Sequence, residues 1–156
     1  PYKNSYFDLI TCRTGTHHFE NFEKSLKEMH RTLKDNGTLI ISDTITSQDN
    51  DLSSWHQKVE IMRDPSHQSN YSIESWKGFF NNLKFEATKI ILTSVKLTLD
   101  DWMTTSGTPP DIQKELRKIW VNSNNKTKKY FKIREKNNQN FEFEWPCAVM
   151  IIKKQI

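Results

Sequence analysis

Glycine is scarce in this 156-residue sequence, which contains only Gly15, Gly37, Gly78 and Gly107. No two of them are close enough to form the GxGxG or GxGxxG turn that brings a backbone against a bound nucleotide. A P-loop is excluded for the same reason. Residues 1–156 therefore contain no glycine-rich cofactor-binding loop.

The sequence also has only two cysteines and no long apolar run. The two cysteines, Cys12 and Cys147, lie far apart in strand-like runs, so we expect buried free thiols in a reducing cytoplasm. No CxxC pair or Cys/His cluster indicates a metal site. No apolar run approaches the roughly 18–20 residues that span a bilayer, and no segment resembles a signal peptide. We expect a cytoplasmic protein with no metal and no membrane partner.

The formal net charge is +4, and part of it comes from basic residues between positions 126 and 136, which follow the asparagine-rich stretch 122–125. A basic stretch of this kind is one way to bind nucleic acid. No aromatic platform or arginine cluster accompanies it, which favours a solvated surface segment. Nucleic acid is therefore not an expected partner.

The first 43 residues predict a strand, a helix and a second strand. Residues 6–13 are short, apolar and β-favouring. Residues 22–33 carry apolar side chains at helical spacing, with Asn21 as the N-cap, and residues 34–37 form a turn. Residues 38–42 are a nearly continuous apolar strand. Such a βαβ unit places its two strands parallel and adjacent.

The remaining sequence predicts two helices, a strand, an insert and a final strand. Residues 50–63 and a segment capped by Ser72 have helical spacing, and residues 87–99 are rich in Ile, Thr and Val. Residues 100–139 form an insert whose main helix begins at the Pro109-Pro110 pair. Residues 141–152 then form a strand bent near Pro146. No full helical crossover precedes this strand, so we expect it to be antiparallel.

Several short segments carry motifs in a fixed order. PYKNSYFDLITCR occupies residues 1–13, HHF residues 17–19, and LKEMHRTLKDNG residues 26–37. They resemble the lPFpdnsFDlvtcr, hHf and flrEmaRvLKPgG motifs of class I S-adenosylmethionine-dependent methyltransferases. The segment 63–76, with its RDPSH, is similar to a ubiquinone/menaquinone-biosynthesis-like subgroup that acts on small molecules.

The resemblance implies an α/β fold: a partial doubly wound, Rossmann-like sheet. Residues 1–156 would supply strands 4, 5, 6 and 7 of a sheet with order 3-2-1-4-5-7-6, with the last strand antiparallel and a helical lid at about residues 100–139. The glycine-rich half that holds the cofactor would be absent, so we expect a fragment that binds S-adenosylmethionine weakly. Strand 4 would then have an open apolar edge, which a homodimer would cover.

The resemblance also implies where the site lies, because ligands bind beyond the carboxyl ends of such strands. Arg13, Thr14 and His17 would contact the cofactor S-adenosyl-L-methionine. The implied substrate-binding residues are Asp43, Arg63, His67 and Tyr71. From the residues alone, Asp43 is equally a turn-capping carboxylate, and Arg63 with its neighbours equally a surface ion pair.

The expected function is methyl transfer from S-adenosylmethionine to a small-molecule acceptor. If the acceptor must lose a proton, His17, Asp43 and His67 are the candidate bases, and none stands out; the catalytic residue stays open. The alternative is a non-catalytic, methyltransferase-like module that pairs with another chain. The tryptophans of the insert, Trp102 and Trp120, either cover a hydrophobic substrate or pack the core of the lid.

Overall fold

Apolar side chains at alternate positions set the strands, and helical spacing sets the segments between them. The structure, a computed structural model, describes residues 2–155. The strands are β1 (Phe7–Arg13), β2 (Leu33–Thr44), β3 (Phe85–Thr98), β4 (Arg134–Asn137) and β5 (Asn140–Lys154). The helices are α1 (Phe22–Thr32), α2 (Asn50–Arg63), α3 (Ile73–Asn82), α4 (Leu99–Thr105), α5 (Pro110–Val121) and α6 (Asn125–Tyr130), and a 3-10 turn covers Thr16–His18.

The sheet has the order β1-β2-β5-β3, with β4 paired to the first part of β5. β1 and β2 are parallel neighbours, as the βαβ pattern predicts. β5 is antiparallel to both β2 and β3 and lies between them. The predicted α/β class, the partial Rossmann-like sheet and the antiparallel last strand are confirmed.

Two helix caps follow the sequence prediction. The Asn21 side chain accepts a hydrogen bond from the Lys24 backbone N–H at 2.9 Å. The Ser72 hydroxyl accepts one from the Ser75 N–H at 3.1 Å. Each cap satisfies a donor that the first helical turn would otherwise leave unpaired, and this fixes where α1 and α3 begin.

One core lies between the sheet and the helices α1 and α3. Its members are fully or almost fully buried side chains that alternate along β2 and β5 and recur along the two helices: Phe22, Leu26, Leu33, Leu39, Ile41, Ile45, Trp76, Phe80, Phe85, Ala148, Met150 and Ile152. The side chains between them on β2, such as Ile40 and Ser42, are only half-buried. In residues 2–155 the helices α1 and α3 thus cover one face of the sheet.

A second core joins α2, the insert and the outer part of β5. Trp102 and Trp120 are both buried there, with ring centroids 5.3 Å apart, so they pack the insert, as one of the two interpretations predicts. The prediction of a helical insert to residue 139 is wrong at its end. Residues 134–137 form β4, and a two-residue turn at Asn138 and Gln139, both with positive φ, reverses the chain into β5.

The predicted turn at residues 34–37 instead lies within β2, at an irregularity of the ladder. Phe7 pairs with Leu33, but Leu9 pairs with Thr38, so residues 34–37 have no regular partners on β1. A Cβ on Gly37 would lie 2.7 Å from Leu33 Cδ1 and 2.9 Å from the Lys34 carbonyl. Glycine is required there because the chain returns against its own backbone.

No helix within residues 2–155 is long and apolar enough to cross a membrane.

The two faces of the sheet predict unequal effects for the same substitution. Ile41→Ala removes a side chain that is 0% exposed and should lower the free energy of unfolding by about 2–4 kcal/mol. Ile91→Ala removes one that is 41% exposed and should cost less than about 1 kcal/mol. Urea denaturation of both variants measures the difference, and equal losses would contradict this assignment of the core.

Candidate functional site

The carboxyl ends of β1 and β2 meet at one edge of the sheet, where the chain turns sharply. Thr14, the first residue after β1, has φ of 47°, a value that a β-branched residue rarely adopts. Its backbone N–H still donates to the Ser42 carbonyl at 2.8 Å. Local strain of this kind persists only where the surroundings enforce it, and it is concentrated at functional sites.

The enforcing group is the carboxylate of Asp43, which is 2% exposed. Oδ2 accepts hydrogen bonds from the Gly15 N–H (3.2 Å), the Thr16 N–H (2.8 Å) and the Thr16 hydroxyl (2.5 Å). Oδ1 lies 2.8 Å from its donor, the Thr44 N–H, and 2.6 Å from His17 Nδ1. One side chain at the end of β2 thus holds the whole loop that follows β1.

These contacts keep Asp43 ionised. Burial alone would raise the pKa of this carboxyl. The hydrogen bond and charge of His17, with hydrogen bonds from Thr16 and Thr44, outweigh burial and lower the pKa below its ordinary value. An ionised carboxylate only accepts hydrogen bonds, so Nδ1 of His17 carries the proton in this pair.

Three histidine rings lie together beside this carboxylate. The ring centroid of His17 is 4.2 Å from that of His18 and 5.3 Å from that of His67, whose plane is nearly parallel to it. The His17 carbonyl accepts hydrogen bonds from the Gln68 N–H (2.8 Å) and the Ser69 N–H (3.2 Å). The segment after α2 is therefore attached directly to the loop after β1.

His67 is 4% exposed, and its Nε2 lies 3.3 Å from Gln57 Oε1. Burial, helped by the charges of His17, His56 and His18, lowers the pKa of His67 to about 4, although Glu60 opposes the shift. At neutral pH the His67 ring is therefore uncharged and packs against His17.

A buried polar group that the sequence interpretation did not identify lies next to the cluster. Asn70 accepts a hydrogen bond from the Thr44 hydroxyl at 2.6 Å, and its amide nitrogen is 3.4 Å from His56 Nε2. His56 in turn lies 3.8 Å from the buried carboxylate of Glu60. Burial would raise the pKa of Glu60, but His56, Arg63 and His67 lower it overall. A signal was present, because positions 56 and 60 share one helical stripe with the buried Leu52 and Val59.

The structure brings together some predicted site residues and separates others. His17 contacts both Asp43 and His67, and Arg13 and Thr14 are exposed at the end of β1, in the same loop as His17.

Arg63 and Tyr71 make contacts elsewhere. Arg63 Nε donates to the Trp102 carbonyl at 2.8 Å, and its guanidinium lies 4.9 Å from the centre of that indole ring, so it ties α2 to the insert. Tyr71 packs its ring on Phe22 at 4.5 Å.

A polar cleft of about 510 Å³ opens just beyond β2. Side chains with hydroxyl or amide groups form most of its lining, and Glu74 is its carboxylate: Thr46, Ser47, Gln48, Asn50, Ser53, Asn70, Tyr71, Ser72, Glu74 and Ser75. Of the predicted substrate-binding residues, Tyr71 lies on this cleft. Within residues 2–155, no group of three or more His, Cys, Asp or Glu side chains has the arrangement of a metal site.

Loss of the Asp43 charge should loosen the loop. We expect Asp43→Asn to lower the free energy of unfolding at pH 7 by about 2–3 kcal/mol, since the amide offers one acceptor where the carboxylate offers two. Asp8→Asn is the matched control, because Asp8 forms an exposed ion pair with Lys34 and should change stability by less than about 0.5 kcal/mol. Urea denaturation compares them, and equal effects would contradict an anchoring role for Asp43.

The lowered pKa of His67 predicts a stability loss on mild acidification. Between about pH 6.5 and pH 4 the unfolded chain binds a proton at this residue that the folded chain does not. Stability present above pH 6.5 should therefore fall as the pH drops, by on the order of 1–3 kcal/mol. His67→Gln should flatten this part of the pH curve, whereas His18→Gln, which removes only the smallest contribution to the His67 shift, should change it much less. Parallel curves for the wild type and His67→Gln would rule the explanation out.

The sequence model of the family described as "Methyltransferase domain" matches residues 1–90. The Bacillus subtilis protein "Uncharacterized methyltransferase YcgJ" is 30% identical over 116 residues, which cover 74% of this chain and 46% of YcgJ. The Escherichia coli protein "Uncharacterized protein YafE" is 27% identical over 131 residues, covering 84% of this chain and 63% of YafE. The chain thus spans about half the length of the first relative.

Two crystal structures share the fold. The BH2331 protein of Bacillus halodurans C-125 superposes with a TM-score of 0.96 at 22% identity, covering 100% of this chain and 68% of that one. For YcgJ the TM-score is 0.90 at 24% identity, with coverage of 100% and 67%. Since the family model matches more than half of the 156 residues, the chain belongs to the methyltransferase domain family.

Proposed function

We propose that this protein transfers a methyl group from S-adenosylmethionine to a small-molecule acceptor. The observation that carries the proposal is the loop after β1, which Asp43 holds at the carboxyl ends of two parallel strands in a chain of the methyltransferase family. That edge of an open α/β sheet is where ligands bind.

The residues at this edge fit one end of the cofactor. S-adenosylmethionine, when bound, supplies an electrophilic methyl group on a sulfonium. Arg13 and Thr14 are exposed there, and a guanidinium pairs well with the carboxylate of a methionine group. His17 then lies on the sulfonium side. Because residues 1–156 contain no glycine-rich turn, we propose that the adenosyl part is held by residues outside this chain.

The acceptor in this proposal occupies the polar cleft beyond β2, where Tyr71, Thr46 and Asn70 offer hydroxyl and amide groups. Asp43 and His67 are buried and do not line this cleft, so in this proposal they act on the acceptor site indirectly. A direct role for Arg63 in substrate binding stays a prediction, and such a role would have to coexist with its contacts to Trp102.

The second candidate function, a module that pairs with another chain, is favoured by one observation. In residues 2–155, β1 pairs on one side only, with β2, and Leu9 on it is 53% exposed. An open strand edge of this kind pairs readily with a second chain. A homodimer through β1 would pair the free backbone N–H and C=O groups of this edge, and it would need no cofactor.

Calorimetry with S-adenosylmethionine tests the proposal. Residues 1–156 alone should bind it with a dissociation constant above about 1 mM. A chimera in which the third of YcgJ that this chain does not cover is fused ahead of residue 1 should reach about 1–100 μM, because the cofactor can then contact residues on both sides. Arg13→Gln in the chimera should weaken binding about tenfold, whereas the control Arg134→Gln, on β4, should not.

A chimera that fails to bind the cofactor would contradict the methyltransferase proposal. If residues 1–156 also sediment as a dimer that Leu9→Lys dissociates, the pairing module would be the better description. Micromolar binding by residues 1–156 alone would contradict the shared cofactor site.

A further inference from the structure

We infer that His17 is the general base of the proposed reaction and that the methylated group of the acceptor is a hydroxyl. Asp43 acts as the residue that positions His17. This inference rests on the proposed function and adds to it the class of acceptor and the catalytic residue.

Asp43 determines the tautomer of His17. Asp43 is enclosed and ionised, and its Oδ1 lies 2.6 Å from His17 Nδ1. Nδ1 must therefore donate, and in the neutral ring the free lone pair is on Nε2. A neutral imidazole in water favours the other tautomer, so the carboxylate selects the basic nitrogen.

The second ring nitrogen of His17, Nε2, is accessible. Nε2 of His17 makes no hydrogen bond within residues 2–155, and it is not among the enclosed polar atoms that lack a partner. The His17 side chain is 16% exposed. The basic nitrogen is therefore accessible, in the loop that follows β1.

The His17 ring is held in one orientation. Two backbone N–H groups hold the His17 carbonyl, Asp43 holds one ring nitrogen, and the ring packs against those of His18 and His67. A base held in this way needs little further ordering when the acceptor arrives.

The other candidate bases are engaged. The Asp43 carboxylate already accepts from Gly15, Thr16, His17 and Thr44. His67 is buried against Gln57. Nδ1 of His18 lies 3.0 Å from the Ser66 hydroxyl. Among these residues, only the ring of His17 is oriented by a buried, ionised carboxylate.

A positioned base is useful only if the acceptor has a proton to lose. A tertiary amine or an ionised carboxylate has none, and a primary or secondary amine attacks through its own lone pair and loses its proton afterwards. A hydroxyl has a proton and is a weak nucleophile until that proton leaves, so it gains most from a positioned base. As the acceptor oxygen bonds to the methyl carbon, the carbon–sulfur bond breaks and its electron pair stays on sulfur. His17 Nε2 takes the hydroxyl proton. The products are a methyl ether, a neutral thioether and an imidazolium stabilised by Asp43.

Nitrogen-15 NMR of the histidine rings at pH 7.5 tests the positioning without any substrate. Comparison with His17→Gln assigns the His17 signals. We expect a protonated Nδ1 and an unprotonated Nε2 in the wild-type protein, and a shift toward the opposite tautomer in Asp43→Asn. An Nε2–H tautomer in the wild type would overturn the inference, whatever the activity.

Methyl transfer tests the chemistry, using the protein at its natural full length and S-adenosylmethionine with a tritiated methyl group. The acceptors are a panel of phenols, alcohols and sugars, set against tertiary amines and carboxylates. We expect transfer to a hydroxyl compound, a loss in kcat of at least about 100-fold in His17→Gln, and an unchanged KM for the cofactor. His30→Gln is the matched control and should keep most of the activity, because His30 lies on α1 and packs against Phe85 of β3.

The outcomes separate the two proposals. Transfer to an amine or carboxylate, or transfer that His17→Gln leaves intact, overturns the general-base inference while methyl transfer itself stands. No transfer to any acceptor by the wild type, together with the Nδ1–H tautomer, overturns the proposed function and the base that depends on it.

Discussion

Asp43 holds a negative charge inside the fold because the chain after β1 turns two backbone N–H groups, a hydroxyl and a histidine toward it, and the N–H of Thr44 adds a further donor. Isolated burial of a carboxylate would be costly, so neither the carboxylate nor the loop would hold this geometry alone. The backbone at Thr14, the tautomer of His17 and the attachment of residues 68–69 all depend on the pair. The buried charge of Asp43 thus fixes the positions of the side chains at the carboxyl ends of β1 and β2.

The sequence predicts the parallel strands and the cap of α1 because short-range periodicity and side-chain capping determine them. It identifies Asp43 and His17 as site residues only through a family resemblance. Their pairing could not be predicted, because they are 26 positions apart and meet only once the sheet forms. His56 and Glu60 share a helical stripe that the sequence shows, but the burial of His56 also depends on Phe131 and Trp145, which pack against it only in the folded chain.

The insert shows how tertiary packing decides between two interpretations of one pattern. Trp102 and Trp120 have the size and spacing of either a lid over a ligand or a core. They are buried against Phe143 and Trp145 of β5, so the insert is attached to the sheet by its own aromatic cluster. Arg63 adds a cation–π contact to the same cluster, which connects it with the helix that carries the buried polar group.

β5 contributes to both cores: Phe143 and Trp145 lie in one, and Met150 and Ile152 in the other. Among residues 2–155 it is the last strand in sequence, yet it occupies the interior of the sheet between β2 and β3. During synthesis, the backbone N–H and C=O groups on the facing edges of β2 and β3 therefore stay unpaired until β5 has been made, because no earlier strand occupies that position. The ribosome has to release nearly the whole of residues 1–156 before the sheet can close, so nascent chains that stall shortly before β5 would be especially exposed to aggregation and to chaperones.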